Sequence, residues 1–169
     1  ENFKPGGLAK LGLGYESLAE ENPGLVYASI SGFGSEGGRN LPGYDFIVQA
    51  VGGLMSITGD PQGDAYKVGV ALVDVLTAKD ATIGILAALT ERNSTGRGRR
   101  IEVNLLSSLQ GALANQAQAY LGAGVTPTRL GNDHPSIVPY QLLAARDDPL
   151  AVALENDSQF AKPCRAIRN

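Results

Sequence analysis

The chain has 169 residues, of which 43% are hydrophobic and 18% charged, and a formal net charge of -3. That size suits one domain with a real core, and the acidic balance argues against nucleic acid or an anionic membrane surface as the main partner. One cysteine, Cys164, and one histidine, His134, rule out an internal disulfide and any cysteine- or histidine-rich metal site, so no metal is expected.

In chain order, the opening ENFKPG lacks an initiating Met and opens on what reads as a strand exit, as expected for a piece of a longer chain. Leu25 to Ser31, LVYASIS, is β-branched and aromatic and bounded by turn formers, which predicts a short buried strand. Gly32 to Gly43 is a long Gly-rich loop. YDFIVQAVGGLM then has apolar positions suited to a helix that ends at Gly52-Gly53. TGDPQGD reads as an exposed turn. Val68 to Val73 carries no polar side chain and resembles a strand, with Asp74 at its end and a helical pattern from Leu76 to Arg92.

STGRGRR breaks that helix, IEVNL (Ile101 to Leu105) reads as a second strand, and Ser107 to Leu121 as a helix stopped by GAG. PYQLLAARDDPLAVAL suggests a hairpin turning at RDDP. Strands alternating with helices point to an α/β fold with a parallel sheet. No apolar run reaches the roughly 18 residues of a membrane span, so no membrane partner is expected.

Asp74 is the most informative residue. A carboxylate at a strand-to-helix junction meets unsatisfied helix N–H groups, which makes it a good cap. The same place is the sheet edge where open α/β folds bind ligands, and there it would serve as nucleophile or base. Tyr44 and Asp45 open a helix and either merely start it or face the same cleft; spacing alone leaves both open. GFGSEGG lacks the G-x-G-x-x-G spacing of a dinucleotide site. Arg97, Arg99 and Arg100 fit a solvated turn better than a phosphate site. His134 reads as a loop residue, and Cys164 has no visible activating partner.

Taken together, ENFKPG with LGLGYESLAEENPGLVYASISGFG, GYDFIVQAVGGLMSITG, VDVLTAKDATIGILAAL with ERNSTGRGRRIEVNLL, and GNDHPSIVPYQLL resemble the family III CoA-transferases over nearly the whole chain. The resemblance implies a Rossmann-like parallel sheet with flanking helices, forming part of a larger interlocked-dimer enzyme. Residues 1–122 would belong to the CoA-binding and catalytic domain, and 123–169 to a linker and the start of a smaller α+β region. It implies Asp74 as the residue that attacks the acyl-CoA thioester and Tyr44 and Asp45 as its neighbours. Asn2, Phe3 and Lys10 match CoA-contacting positions, although Arg is the more usual occupant at Lys10.

The expected partners are coenzyme A as co-substrate, an acyl-CoA, a carboxylic acid and a second copy of the chain. The expected location is cytoplasmic, with mitochondrial or peroxisomal placement left open. Related racemases use a histidine where this chain has Tyr44, which favours a transferase over a 2-methylacyl-CoA racemase. A non-catalytic or truncated CoA-binding module is the third reading. The chain departs from the resemblance at Glu155 and in KPCRAIRN, where Pro163 is expected to interrupt a helix.

Overall fold

In the computed structural model, which describes residues 1–167, the two β-branched runs pair in parallel. Tyr27–Ser31 (β1) lies beside Arg100–Asn104 (β2), with Tyr27 opposite Arg100 and Ser31 opposite Asn104. On the other edge of β1, the Glu1 amine donates to the Ala28 carbonyl at 2.7 Å, and the Ile30 N–H donates to the Glu1 carbonyl at 2.9 Å. That single parallel bridge delivers Asn2 and Phe3 to the end of β1 where Ser31 meets the Gly-rich loop.

Tyr15–Glu21 (α1) precedes β1, and the crossover to β2 holds Asp45–Val51 (α2) and Leu72–Thr95 (α3). Leu105–Ala112 (α4), Ala114–Ala123 (α5), an antiparallel hairpin and Asp157–Ile167 (α6) follow. The hairpin pairs Tyr140–Leu143 (β3) with Leu150–Ala153 (β4), so its turn includes RDDP as expected. The architecture is therefore α/β with a parallel strand pair and flanking helices. Residues 168 and 169 of the expected second region lie outside the described residues. Among the described residues no helix is long and apolar enough to cross a membrane.

Three expectations need correction. Val68 to Val73 is not a strand: no other strand pairs with it, and α3 already begins at Leu72, a turn earlier than Leu76. The expected helix from Ser107 to Leu121 is two helices, α4 and α5, divided at Leu113 just before Ala114, whose φ is 44°. Asn104 starts α4 early, because its side chain accepts the Ser107 N–H at 2.8 Å. Finally, α6 runs through Pro163. The ring removes one backbone donor, while the Asn156 side chain still caps the start through the Gln159 N–H at 3.1 Å.

The buried cluster is Val48, Val73, Leu105 and Leu109, with Ile30, Phe33 and Leu54 packed against it. One residue each from α2 and α3 and two from α4 thus meet near the end of β1. Leu109 is 1% exposed, and truncating it to Ala should cost about 3 kcal/mol in a denaturant titration.

Candidate active site

The glycines of the loop after β1 decide where α2 starts. Gly32 and Gly43 touch so closely that a Cβ added to either would lie 2.2 Å from the other's Cα. The loop therefore leaves and returns at one point, and Tyr44 and Asp45 follow directly from it. Gly34 takes a left-handed φ of 83°, and its N–H donates to the Ser31 hydroxyl at 3.0 Å. The Leu106 N–H donates to the Gly32 carbonyl at 3.1 Å, tying the loop to α4.

Asp74 sits in the first turn of α3, as its third residue, and not at the end of a strand. The residue that satisfies the helix start is Asp45, reaching across from α2. Its Oδ2 accepts the Val73 N–H at 2.7 Å and the Asp74 N–H at 3.1 Å. Its Oδ1 accepts a hydrogen from Gln49 Nε2 at 2.5 Å. Gln49 is fully buried, and its Oε1 accepts the Val68 N–H at 2.9 Å.

The cap expected of Asp74 is thus supplied by Asp45, and the Asp74 carboxylate has no capping bond. Partial loss of water, with the neighbouring Asp45 charge adding to it, pushes the Asp74 carboxyl above its ordinary value.

Asp74 lines a cleft of about 490 Å³ together with Asn2, Phe3, Lys4 and Pro5, the loop residues Ser31–Gly34 and Gly38–Gly43, Tyr44 and Leu105. Of the residues singled out in the sequence, Asn2, Phe3, Tyr44 and Asp74 meet there. Asp45 stands behind the lining and acts on α3. Lys10 lies in a short 3-10 turn, Ala9–Leu11, and does not line the cleft.

Three residues were not singled out. Lys4 and Arg39 are the two cations lining the cleft. Arg39 is the sole cation between Gly32 and Gly43, a signal the sequence offered. Gln49 follows Asp45 by four positions on a helix, the spacing at which side chains meet.

The residues first read as bland take bland roles. Arg99 pairs with Glu91, and Arg100 with Glu16 at 3.4 Å and Glu102 at 3.2 Å. Nδ1 of His134 accepts the N–H groups of Ser136 and Ile137, both at 3.0 Å, so the ring organises its own loop. Cys164 is a half-buried free thiol.

A parallel sheet whose strand end opens into a cleft, with an uncapped carboxyl at the start of the crossover helix, defines an α/β ligand-binding architecture. The particular family follows from comparison with known proteins. Residues 1–169 match the family model CoA-transferase family III, and the chain belongs to that family. It is 46% identical over 168 residues to the succinate–glutarate CoA-transferase of Agrobacterium fabrum, covering 99% of this chain and 42% of that protein.

The human succinyl-CoA:glutarate CoA-transferase is 41% identical over 168 residues, covering 99% of this chain and 38% of the relative. The crystal structure of a CAIB/BAIF family protein from Brucella suis superposes with a TM-score of 0.87 at 46% identity, over 99% of this chain and 45% of that one. The chain thus spans less than half the length of the relatives it matches.

Proposed function

We propose that the protein moves CoA from an acyl-CoA thioester to a free carboxylic acid, with Asp74 as the nucleophile. One observation carries this reading above the others. The Asp74 carboxyl opens on a cleft shared with Asn2, Phe3 and Tyr44, and Asp45 relieves it of the capping role that would otherwise occupy it.

The Asp74 carboxylate attacks the thioester carbonyl, and the C–S bond breaks to give a mixed anhydride and CoA thiolate. The thiolate then attacks the Asp74 carbonyl, releasing the donor's carboxylate and leaving an aspartyl-CoA thioester. An acceptor carboxylate enters and the two steps run in reverse. Each exchange returns Asp74 unchanged, and no redox partner is needed. A carboxylate suits the role because its acyl derivatives stay activated, whereas an ester to Ser would hold the acyl group too tightly.

A carboxylate whose pKa is raised is also the stronger nucleophile wherever the working pH keeps it ionised. Tyr44 would donate to a substrate carboxylate or a developing oxyanion. Asn2 and Phe3 would meet CoA near the reacting end, with Lys10 left to the nucleotide end. The names of the glutarate-using relatives favour a dicarboxylic substrate, and Lys4 and Arg39 put positive charge in the cleft for such anions.

The test uses the full-length protein. After incubation with succinyl-CoA and quenching with hydroxylamine, the peptide containing Asp74 should carry a hydroxamate by mass spectrometry. Exchange of CoA into glutarate with that peptide unmodified would exclude the covalent route. The same assay run over a panel of dicarboxylic and hydroxy acids would identify the acceptor.

A further inference from the structure

The run that carries Asp74 into the cleft is held at both ends by one face of α2. Val68, at its start, donates its N–H to Gln49 Oε1 at 2.9 Å. Val73 and Asp74, at its end, donate to Asp45 Oδ2 at 2.7 and 3.1 Å. Asp45 and Gln49 are four residues apart and joined to each other at 2.5 Å. Among the described residues the segment between the anchors has no strand partner, and one tight turn bond, from the Leu72 N–H to the Val70 carbonyl, closes its end. These side chains therefore hold the run in place.

Gln49 is the member of this network that cannot turn. It is fully buried, and flipping its amide would set the NH2 group against the Val68 N–H and the carbonyl against the Asp45 carboxylate. A locked amide in turn holds the Asp45 carboxylate by Oδ1, which leaves Oδ2 aimed at the start of α3. A buried glutamine with both ends used is a costly group to place in a core, since each lost bond leaves an unsatisfied polar atom. It sits beside Val48, the most buried apolar residue of the same helix, and not on a solvated face.

We propose that Gln49 is a positioning residue for the acyl transfer: by locking Asp45 onto the α3 N–H groups and holding Val68, it sets where the Asp74 carboxylate stands in the cleft. This rests on the reading of Asp74 as nucleophile. Gln49 touches no reacting atom, and its effect passes through Asp45 and the backbone.

The test compares three variants of the full-length protein. Gln49→Met keeps length and burial but neither donates nor accepts strongly. It should lower kcat for CoA exchange roughly tenfold to hundredfold, with KM for the acyl-CoA changed by less than about threefold. Amide hydrogen exchange at Val73 and Asp74 should accelerate in the same variant.

Asp45→Asn turns a second NH2 group toward the Gln49 amide and should be impaired as well. Asp45→Asn combined with Gln49→Glu restores the pairing with donor and acceptor reversed, and should exceed Asp45→Asn alone by about tenfold in kcat. Normal amide protection at Val73 and Asp74 in Gln49→Met, or kcat within about twofold of the parent, would overturn the proposal. Should Gln49→Met not fold, a double variant no faster than Asp45→Asn does the same. Full exchange activity in Asp74→Ala would instead remove the nucleophile reading, so the two failures are distinguishable.

Discussion

Asp74→Asn in the full-length protein is expected to lose CoA exchange by roughly a thousandfold or more while melting no lower than the parent at neutral pH. The first half follows from removing the attacking oxygen without changing the shape of the side chain. The second half follows from electrostatics. Partial loss of water and the Asp45 charge raise the folded-state pKa of Asp74 above its ordinary value.

A carboxyl raised in this way favours the proton in the folded state. Its contribution to stability is present below the unfolded pKa and is lost as pH rises through the folded one. At neutral pH the ionised Asp74 therefore works against the fold, and Asn removes that penalty. Thermal melts of parent and variant at pH 7 and below about pH 4 are the measurement, and any advantage of the variant should shrink at the lower pH. In the parent, kcat/KM should fall as pH drops through a midpoint higher than the ordinary aspartate pKa. An Asn variant that keeps its exchange activity would end the nucleophile assignment. One that melts well below the parent at pH 7 would show that Asp74 holds the helix after all.

Much of this was legible in the residue pattern. The strands at Tyr27–Ser31 and Arg100–Asn104, the helix closed by Gly52 and the hairpin around RDDP all follow from side-chain pattern and turn chemistry. What failed was local reasoning about segments whose partners are distant in sequence. Val68 to Val73 has strand-like composition, yet a strand needs a neighbour, and this run meets Gln49 and Asp45 instead. The start of α3 was misplaced for the same reason: its cap comes from 28 residues upstream. No window of sequence around Leu72 contains that information.

The site divides along the same line. Residue type and position single out Asp74 and Tyr44 without choosing their roles, and the family resemblance adds Asn2 and Phe3; all four line one cleft. The split of labour between the two carboxylates was not readable. Asp74 looked like the cap, with Asp45 as its uncertain neighbour. In the structure Asp45 is the cap, and Asp74 is left with its carboxylate free. The resemblance matches Lys10 to the nucleotide end of CoA, and it does not line the cleft, whereas Arg39, which nothing in the periodic pattern singles out, does. A cation in a glycine-rich loop has no periodic pattern from which its direction can be read.

Gly43→Ala is expected to lower kcat about a hundredfold, because it attacks the geometry that places Tyr44 and Asp45. The added Cβ would stand 2.2 Å from the Gly32 Cα and 2.7 Å from its N, both backbone atoms that no rotamer change can move aside. The two strands of chain would have to separate by more than an ångström, a displacement of the size that costs such factors. Moving Gly32 also disturbs its carbonyl, which accepts the Leu106 N–H. Moving residue 43 shifts the start of α2, hence Asp45, its bonds to Val73 and Asp74, and the position of the reacting carboxylate.

The damage should therefore appear in kcat and in amide protection at the start of α3 together. Gly37→Ala, in the same loop, supplies the control: its Cβ would meet nothing within 4 Å, and Gly37 is not among the positive-φ glycines. That change should leave the rate unaltered and the fold as stable or slightly more so, through the stiffer unfolded chain. Equal activity in the two variants would mean that the close approach of Gly32 and Gly43 does not govern the site, and that α2 is held by its packing on α3 and α4 alone.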